Sequence, residues 1–563
     1  MLSNLPIGVS DFRKLRETEL LYIDKTHLVC ELVNRKGIEA VLLPRPRRFG
    51  KTLNLSMLSC YFSKRDEDLS HLFEGLAVWE AGEQYRKHFQ RYPVIYLSFQ
   101  DVKASTAEAS FAAIRKNIQV LFDTHRYLLD AAGMSERECR DYREVLDGTA
   151  QPALYQRALL DLSALLHRHH RERVLILIDE YDEPIHAGYV HEYANDILEF
   201  FRAFLAGGLK DNPHLYKAVV TGVLRVARES IFSGLNNLGV YSLLREEFAT
   251  CFGFTHPEVV DLLDRAGRGD QLDLVQHWYD GYRFGNEVIY NPWSVLSFLA
   301  DVSGKARPHW VTTSSNDLVK HLLERHAFQL EPAFETLLAG GSIERDIDEN
   351  VALGDLEHNH DALWSLLVFS GYLRAEERPR DPMLGLTYAL TIPNYEVRQV
   401  YTSTFRAWMD ARLRGNGGNL DRLVQALLRG DAERVEDQLQ VFADSLLSYH
   451  DTARPDPELL YHGFVLGLLA VLEPEYAVRS NRESGRGRPD VQIRPNQPGK
   501  PGVVLELKVA RPGRQTLDEA LAAGLAQIAE KDYAAELRVA GADPIHVLVV
   551  AFDGKSVAVR APS

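Results

Sequence analysis

Apolar positions fall into two regimes along the chain. Over the first 250 residues, short apolar runs at 39–43, 94–99, 174–178 and 217–223 are separated by longer stretches with helical periodicity. Continuous runs of that length suit strands buried on both faces, so their alternation with helices predicts an α/β domain on a largely parallel sheet. From about 252 to 450 the helical period dominates, as in DRLVQALLRGDAERVEDQLQVFADSLLSY, broken by one aromatic, turn-rich patch, WYDGYRFGNEVIYNPWSVLSFL. A break rich in Pro and Asp, DTARPDPE, precedes a last section: a helix (LLYHGFVLGLLAVL), short strands, a second helix and a final strand (IHVLVVAF). The expectation is an α/β multidomain protein, with an α/β part at 1–250, a mostly helical middle at 251–454 and a compact α/β domain at 455–563.

Length and composition narrow the classes. A chain of 563 residues exceeds what one hydrophobic core supports, and 45% hydrophobic with 25% charged residues is an ordinary globular profile. The 79 acidic residues outnumber 64 Lys and Arg, giving a net charge of -15. A chain-wide electrostatic grip on nucleic acid is thereby excluded, and any such grip must be local. Cys30, Cys60, Cys139 and Cys251 form no CxxC pair, so neither a zinc knuckle nor a disulfide framework is indicated. A reducing, cytoplasmic setting fits best. The first residues lack the apolar core of a signal peptide, and no apolar run approaches the roughly 18 residues of a membrane span.

The end of the first strand-like run carries VLLPRPRRFGKTLNLSML, where Gly50, Lys51 and Thr52 close a phosphate-loop pattern and a helix follows. That chemistry needs backbone amides at a helix N-terminus to cradle phosphates, a Lys to reach the β and γ phosphates and a hydroxyl on Mg²⁺. The full GxxxxGK(S/T) pattern has Gly where this chain has Arg45. Arg45, Arg47 and Arg48 either neutralise phosphate charge or pack against acidic neighbours. A second run, VLILIDEYDEP, ends in Asp179 and Glu180, which suit a metal-holding carboxylate and a base that orients or deprotonates the attacking water. Asp182 and Glu183 are candidates for nothing more than a solvated strand end. In KAVVTGV, Thr221 is either a strand residue or a sensor of the γ phosphate, and Arg225 and Arg228 are either transition-state fingers or surface charges. The candidate nucleotide set is Arg47, Arg48, Phe49, Gly50, Lys51, Thr52, Asp179, Thr221 and Arg225, with Thr52 and Asp179 serving the metal and Glu180 catalysis.

Residues 484–508 read SGRGRPDVQIRPNQPGKPGVVLELK, a strand bearing Asp490, a Pro- and Gly-rich hairpin and a strand bearing Glu506 and Lys508. Strand alternation puts Glu506 and Lys508 on one face, and pairing with the preceding strand brings Asp490 beside them. Two carboxylates can hold Mg²⁺ to activate water, and the Lys can position the nucleophile. Glu506 lies inside an apolar strand, where a bare carboxylate is costly to bury. Glu458 or His462 on the preceding helix competes as a further metal ligand, and Gln527 and Tyr533 on the next helix are candidates for backbone contacts with DNA. Between Arg479 and Arg514, nine Lys and Arg face three acids, a local excess of +6.

With these residues in view, the chain resembles, almost end to end, bacterial and archaeal proteins that join an AAA-ATPase-like domain to a PD(D/E)xK nuclease-superfamily domain. LPIGVSDFRKLRE, YIDKTHLV, RPRRFGKTLNLSML, LIDEYDEPI, TGVLRVARESIFSGLNN, WYDGYRFGNEVIYNPWSVL, YHGFVLGLL and SNRESGRGRPD through ELK carry the resemblance. In that family the loop commonly begins RPRRFGK, so Arg45 is no departure from it. The resemblance implies a P-loop fold for the first part and a restriction-endonuclease-like fold for the last. It carries ligand roles to Lys51, Thr52, Asp179 and Glu180, and to Asp490, Glu506 and Lys508. It also suggests His462 as the helix His of RecB-like branches, and likens Gln527 and Tyr533 to a Gln and Tyr that follow ExK, with one or two extra residues between them. The expected function is ATP binding and hydrolysis that gates a Mg²⁺-dependent nuclease acting on nucleic acid, DNA before RNA. The alternative is a non-cleaving, nucleotide-dependent switch that binds DNA or a partner through a degenerate nuclease domain. Assembly as a ring or dimer of identical chains is left open.

Overall fold

The computed structural model describes residues 4–562 except 132, 225–236, 311–318, 320–321, 324, 339, 351–359, 380–385, 414–419, 447–456, 470–471, 473–474, 481–488 and 511–514. The chain divides into two compact units, one of 1–322 with 344–397 and the other of 323–343 with 398–563.

The first unit is built on a five-stranded sheet of β1 (Ala40–Pro44), β2 (Val94–Ser98), β3 (Val174–Asp179), β4 (Leu215–Gly222) and β5 (Leu238–Val240), in the order β2-β3-β4-β1-β5. Every pairing is parallel. β1 and β3 are buried along their whole length, because helices Lys51–Phe62, Ala107–Thr124, Pro152–His170 and Ala194–Leu209 pack around the sheet. This is why these strands read as unbroken apolar runs. The order places β1 and β3 on either side of β4, so the loops after these three strands meet at one end of the sheet. Ligands of open α/β sheets bind at that carboxyl end.

The same unit holds a three-stranded sheet of β6 (Phe254–Thr255), β7 (Tyr282–Phe284) and β8 (Glu287–Tyr290), in which β8 is central. A second small sheet comprises β9 (Ile343–Arg345), β10 (Arg374–Arg378) and β11 (Thr387–Thr391). The middle of the chain is thus helical with short strands set into it, and the aromatic patch is a hairpin leading into helix Pro292–Ala300.

The second unit contains a mixed sheet of β12 (Tyr476–Ser480), β13 (Val491–Pro495), β14 (Gly502–Val509), β15 (Ile545–Asp553) and β16 (Ser556–Arg560) in sequential order. β14 pairs antiparallel with β13 and parallel with β15, the latter over eight residues from Gly502↔Ile545 to Val509↔Phe552. Helix Pro457–Leu469 and helix Leu517–Glu530 both pack on β14. Among the described residues, no helix is long and apolar enough to cross a membrane.

Candidate nucleotide and nuclease sites

β1 runs straight into the phosphate loop. The loop turns through two left-handed residues, Arg48 (φ 69°) and Gly50 (φ 86°), and Gly50 caps helix Lys51–Phe62. Phe49 anchors the turn by packing edge-on against Tyr282, with ring centroids 4.9 Å apart, and near Phe284 at 5.3 Å. Lys51 is buried, and its Nζ donates to the carbonyl oxygens of Arg45 (3.0 Å) and Pro46 (3.2 Å). Burial draws the Lys51 ammonium below the usual lysine range, while Glu180 and Asp179 pull the other way.

Arg45 occupies the position of the missing glycine and does not face the loop's interior. Its guanidinium donates to the carbonyls of Pro44 (2.7 Å), Tyr241 (2.7 Å) and Phe248 (3.3 Å), and it lies 5.2 Å from the ring centroids of both Phe252 and Phe284. Burial draws it down to about 10, so it stays charged at neutral pH. Arg47 pairs with Glu183 at 3.0 Å, and Lys103 reaches the same carboxylate at 3.1 Å. Arg48 lies over Trp293, 4.4 Å from the ring centroid.

At the end of β3, Asp179 is fully buried and accepts two short hydrogen bonds, from Thr52 Oγ1 to Oδ2 and from Thr221 Oγ1 to Oδ1, both 2.6 Å. One carboxylate thus ties the first turn of the loop helix to the end of β4. Glu180 adopts a left-handed backbone (φ 49°), and burial raises its carboxyl above the ordinary glutamate value, partly countered by Lys51. Asp182 is also buried; its Oδ2 accepts the backbone amides of Val223 (2.7 Å) and Leu224 (2.9 Å), clamping the chain just past β4. These roles for Asp182, Glu183 and Lys103 had no signal in the sequence beyond the acidic run after β3. Loop, strand ends and flanking segments line a cavity of about 450 Å³ that includes Gly50, Lys51, Thr52 and Glu180. Arg225 and Arg228 lie outside the described residues.

In the second unit, β13 and β14 pair Val491 with Leu505, so Asp490 and Glu506 follow as facing positions. Asp490 Oδ2 accepts the amide of Leu507 at 2.7 Å, which pins its carboxylate to β14. Glu506 is buried; Oε1 pairs with Lys508 Nζ at 2.8 Å, and Oε2 is buried without a hydrogen-bond partner among the described residues. Burial raises the Glu506 carboxyl, with Lys508 opposing and Asp490 reinforcing the rise. Gly524 brings helix Leu517–Glu530 close over this site, since a Cβ there would stand 2.5 Å from Val549 Cγ1 and 3.3 Å from Lys508 Cγ.

His462 sits beside the pair, its Nε2 3.0 Å from the carbonyl oxygen of Asp490. Asp490, Glu506 and Lys508 are therefore brought together, while His462 meets the backbone of Asp490. Among the described residues no three His, Cys, Asp or Glu side chains are grouped to hold a metal ion. Glu458 lies on helix Pro457–Leu469 with its side chain outside the described residues. Tyr533 corrects an expectation: its ring is buried, its hydroxyl accepts Gln527 Nε2 at 2.8 Å, and Gln492 Nε2 reaches its carbonyl at 3.3 Å. It braces the helix against the sheet and offers no surface to a DNA backbone. In the basic stretch, Arg482, Arg486, Arg488, Arg511 and Arg514 lie outside the described residues, while Arg479 and Arg494 both pair with Glu536.

A parallel sheet with a phosphate loop and an acidic strand end, followed by a mixed sheet carrying a carboxylate pair and a lysine, defines a two-module class. Residues 6–232 match the family model described as predicted AAA-ATPase, and residues 456–561 match the PD-(D/E)XK nuclease superfamily. The chain joins an AAA-ATPase-like domain to a PD-(D/E)XK nuclease-superfamily domain. It is similar to an uncharacterized protein in the vnfD 5′ region of Azotobacter chroococcum mcd 1, 29% identical over 581 residues that cover 98% of this chain and 97% of that one.

Proposed function

We propose that the chain binds and hydrolyses ATP in its first unit and cleaves DNA phosphodiesters with Mg²⁺ in its second, with nucleotide state gating the cut. The observation that carries the nuclease half is the meeting of Asp490, Glu506 and Lys508, with Glu506 Oε2 buried and unpaired among the described residues. A buried acceptor without a donor is costly, and a divalent cation is the partner that relieves it. Asp490 and Glu506 are the residues that would hold such an ion, which supplies charge neutralisation and an acidified water. Lys508 holds Glu506 in place and presents a cation where negative charge grows on the phosphate. Asp490, pinned by Leu507, fixes the other carboxylate against β14.

In the nucleotide site, Gly50 and the amides of the loop helix face the phosphates, Lys51 neutralises them, and Thr52 with Asp179 forms the metal-side pair. Glu180, its carboxyl raised by burial, is the group to accept a proton from water. Thr221, bonded to the same carboxylate as Thr52, relays occupancy of the loop to β4. ATP shifts the balance between two states only by binding one of them more tightly, which is the physical content of the gating.

Linear and circular DNA incubated with the purified chain, with and without ATP and Mg²⁺, tests the reading. Asp490→Ala is expected to abolish cutting and leave ATP binding intact; Lys51→Ala is expected to weaken ATP binding and change nuclease output. Cleavage by Asp490→Ala at the parental rate refutes the nuclease assignment. A non-cleaving, nucleotide-dependent switch is the second reading, and a chelator separates the two. Such a switch would shift DNA mobility equally in the presence of a chelator.

A further inference from the structure

The cavity at the phosphate loop has more than phosphate-binding groups in its lining. Beside Lys51 and Thr52 it is lined by Pro6, Val9, Tyr22, Phe254, Trp293 and Leu296, an apolar set drawn from three distant stretches of sequence. A nucleotide has the same division, an anionic tail and a flat ring with two apolar faces. Trp293 is the flat group within that set, and it comes from the motif YNPWSV, which the phosphate chemistry leaves without a role.

The local sequence explains its placement. Asn291 is fully buried and caps helix Pro292–Ala300, its side chain accepting the amide of Ser294 at 3.2 Å. Pro292 takes the first helical position, where its missing N–H costs nothing. Trp293 follows in the first turn, half-buried and lining the cavity. Its Nε1 donates to the carbonyl of His309 at 3.3 Å, and the Arg48 guanidinium lies over its ring. Arg48 belongs to the phosphate loop, so the indole and the loop form one stacked assembly.

We infer that Trp293, stacked with Arg48, is the platform against which the nucleobase lies, and that the apolar set it belongs to sets the preference for a nucleoside triphosphate over bare triphosphate. This rests on the nucleotide reading above. Calorimetric titration of the full chain with MgATP and, separately, with Mg²⁺ and inorganic tripolyphosphate tests it. Aromatic stacking on a base predicts that Trp293→Ala weakens MgATP binding about tenfold or more and leaves tripolyphosphate within about threefold of the parent. Trp293→Phe keeps a ring and should hold MgATP affinity within about threefold. Trp293→Leu keeps apolar bulk without a ring, and it carries the alanine expectation if that variant fails to fold. Parental MgATP affinity in Trp293→Leu, or equal loss of both ligands in Trp293→Phe, overturns the platform and leaves the nucleotide reading standing. A parent chain that binds neither ligand overturns both.

Discussion

Restoring the glycine of the general phosphate-loop pattern by Arg45→Gly should damage this protein. Arg45 makes three hydrogen bonds to buried carbonyls and lies over two phenylalanine rings. Hydrogen bonds from a charged donor contribute about 1.5–3 kcal/mol each, and cation–π contacts about 0.5–2. Part of that sum offsets the cost of burying a guanidinium. Removal nevertheless leaves the carbonyls of Tyr241 and Phe248 without this donor and opens a cavity, so a net loss of about 3–5 kcal/mol is expected. The unfolding transition that MgATP raises is the one to follow, because ligand binding identifies the unit that melts. The shift per kcal/mol falls with size, from about 2–4 °C at 150–250 residues to little more than about 1 °C for a unit as large as 1–322 with 344–397, so the midpoint should fall by roughly 5 °C. MgATP affinity measured well below that midpoint should not improve. An Arg45→Gly chain that melts with the parent and binds nucleotide more tightly would refute the view that Arg45 is a strut.

Glu396 provides a pH test. It is fully buried, accepts Ser294 Oγ at 2.8 Å and the amide of Trp310 at 2.6 Å, and burial raises its carboxyl from 4.5 to about 7. With the folded value above the unfolded one, the stability it contributes is complete below pH 4.5 and is lost as pH rises through 7. At about 1.36 kcal/mol for each pH unit that loss is roughly 3 kcal/mol, so the parent's melting point should fall relative to Glu396→Gln between pH 5 and 8, and parallel curves would contradict it. Gly524→Ala should lower cleavage although alanine favours helix, because the added methyl meets Val549 at 2.5 Å and crowds Lys508; unchanged cleavage and melting would mean the helix has room to spare. Asp182→Ala should destabilise the first unit by about 2–5 kcal/mol by orphaning the amides of Val223 and Leu224, measured on the same MgATP-sensitive transition.

The four strands foreseen in the first 250 residues are all present, because strands buried on both faces leave an unbroken apolar record. β5, Leu238–Val240, was not legible: it is three residues long, half-buried and centred on Gly239, and it takes its identity from pairing with β1. The two small sheets of the middle region escaped for the same reason, since strands of two to five residues carry too few positions for a period of two to register. At the sites, the spacing of Glu506 and Lys508 and their pairing with Asp490 could be read from strand alternation alone. Which way Arg45 points could not, because two of its three partner carbonyls lie about 200 residues away and a carbonyl has no sequence signature. Tyr533 misled in the opposite sense, since a tyrosine after a helix reads equally as a surface contact or as a buried brace.

Glu506 and Lys508 lie toward the end of β14, paired with Val549 and Ala551 of β15, and the Leu507 amide between them is held by the Asp490 carboxylate. Neither can drift independently of the β15 ladder, so the acid and the amine behave as fixtures of the sheet and not as parts of a movable lid. Heating should therefore leave the cutting chemistry intact up to the temperature at which the second unit melts, and then remove it in a single step.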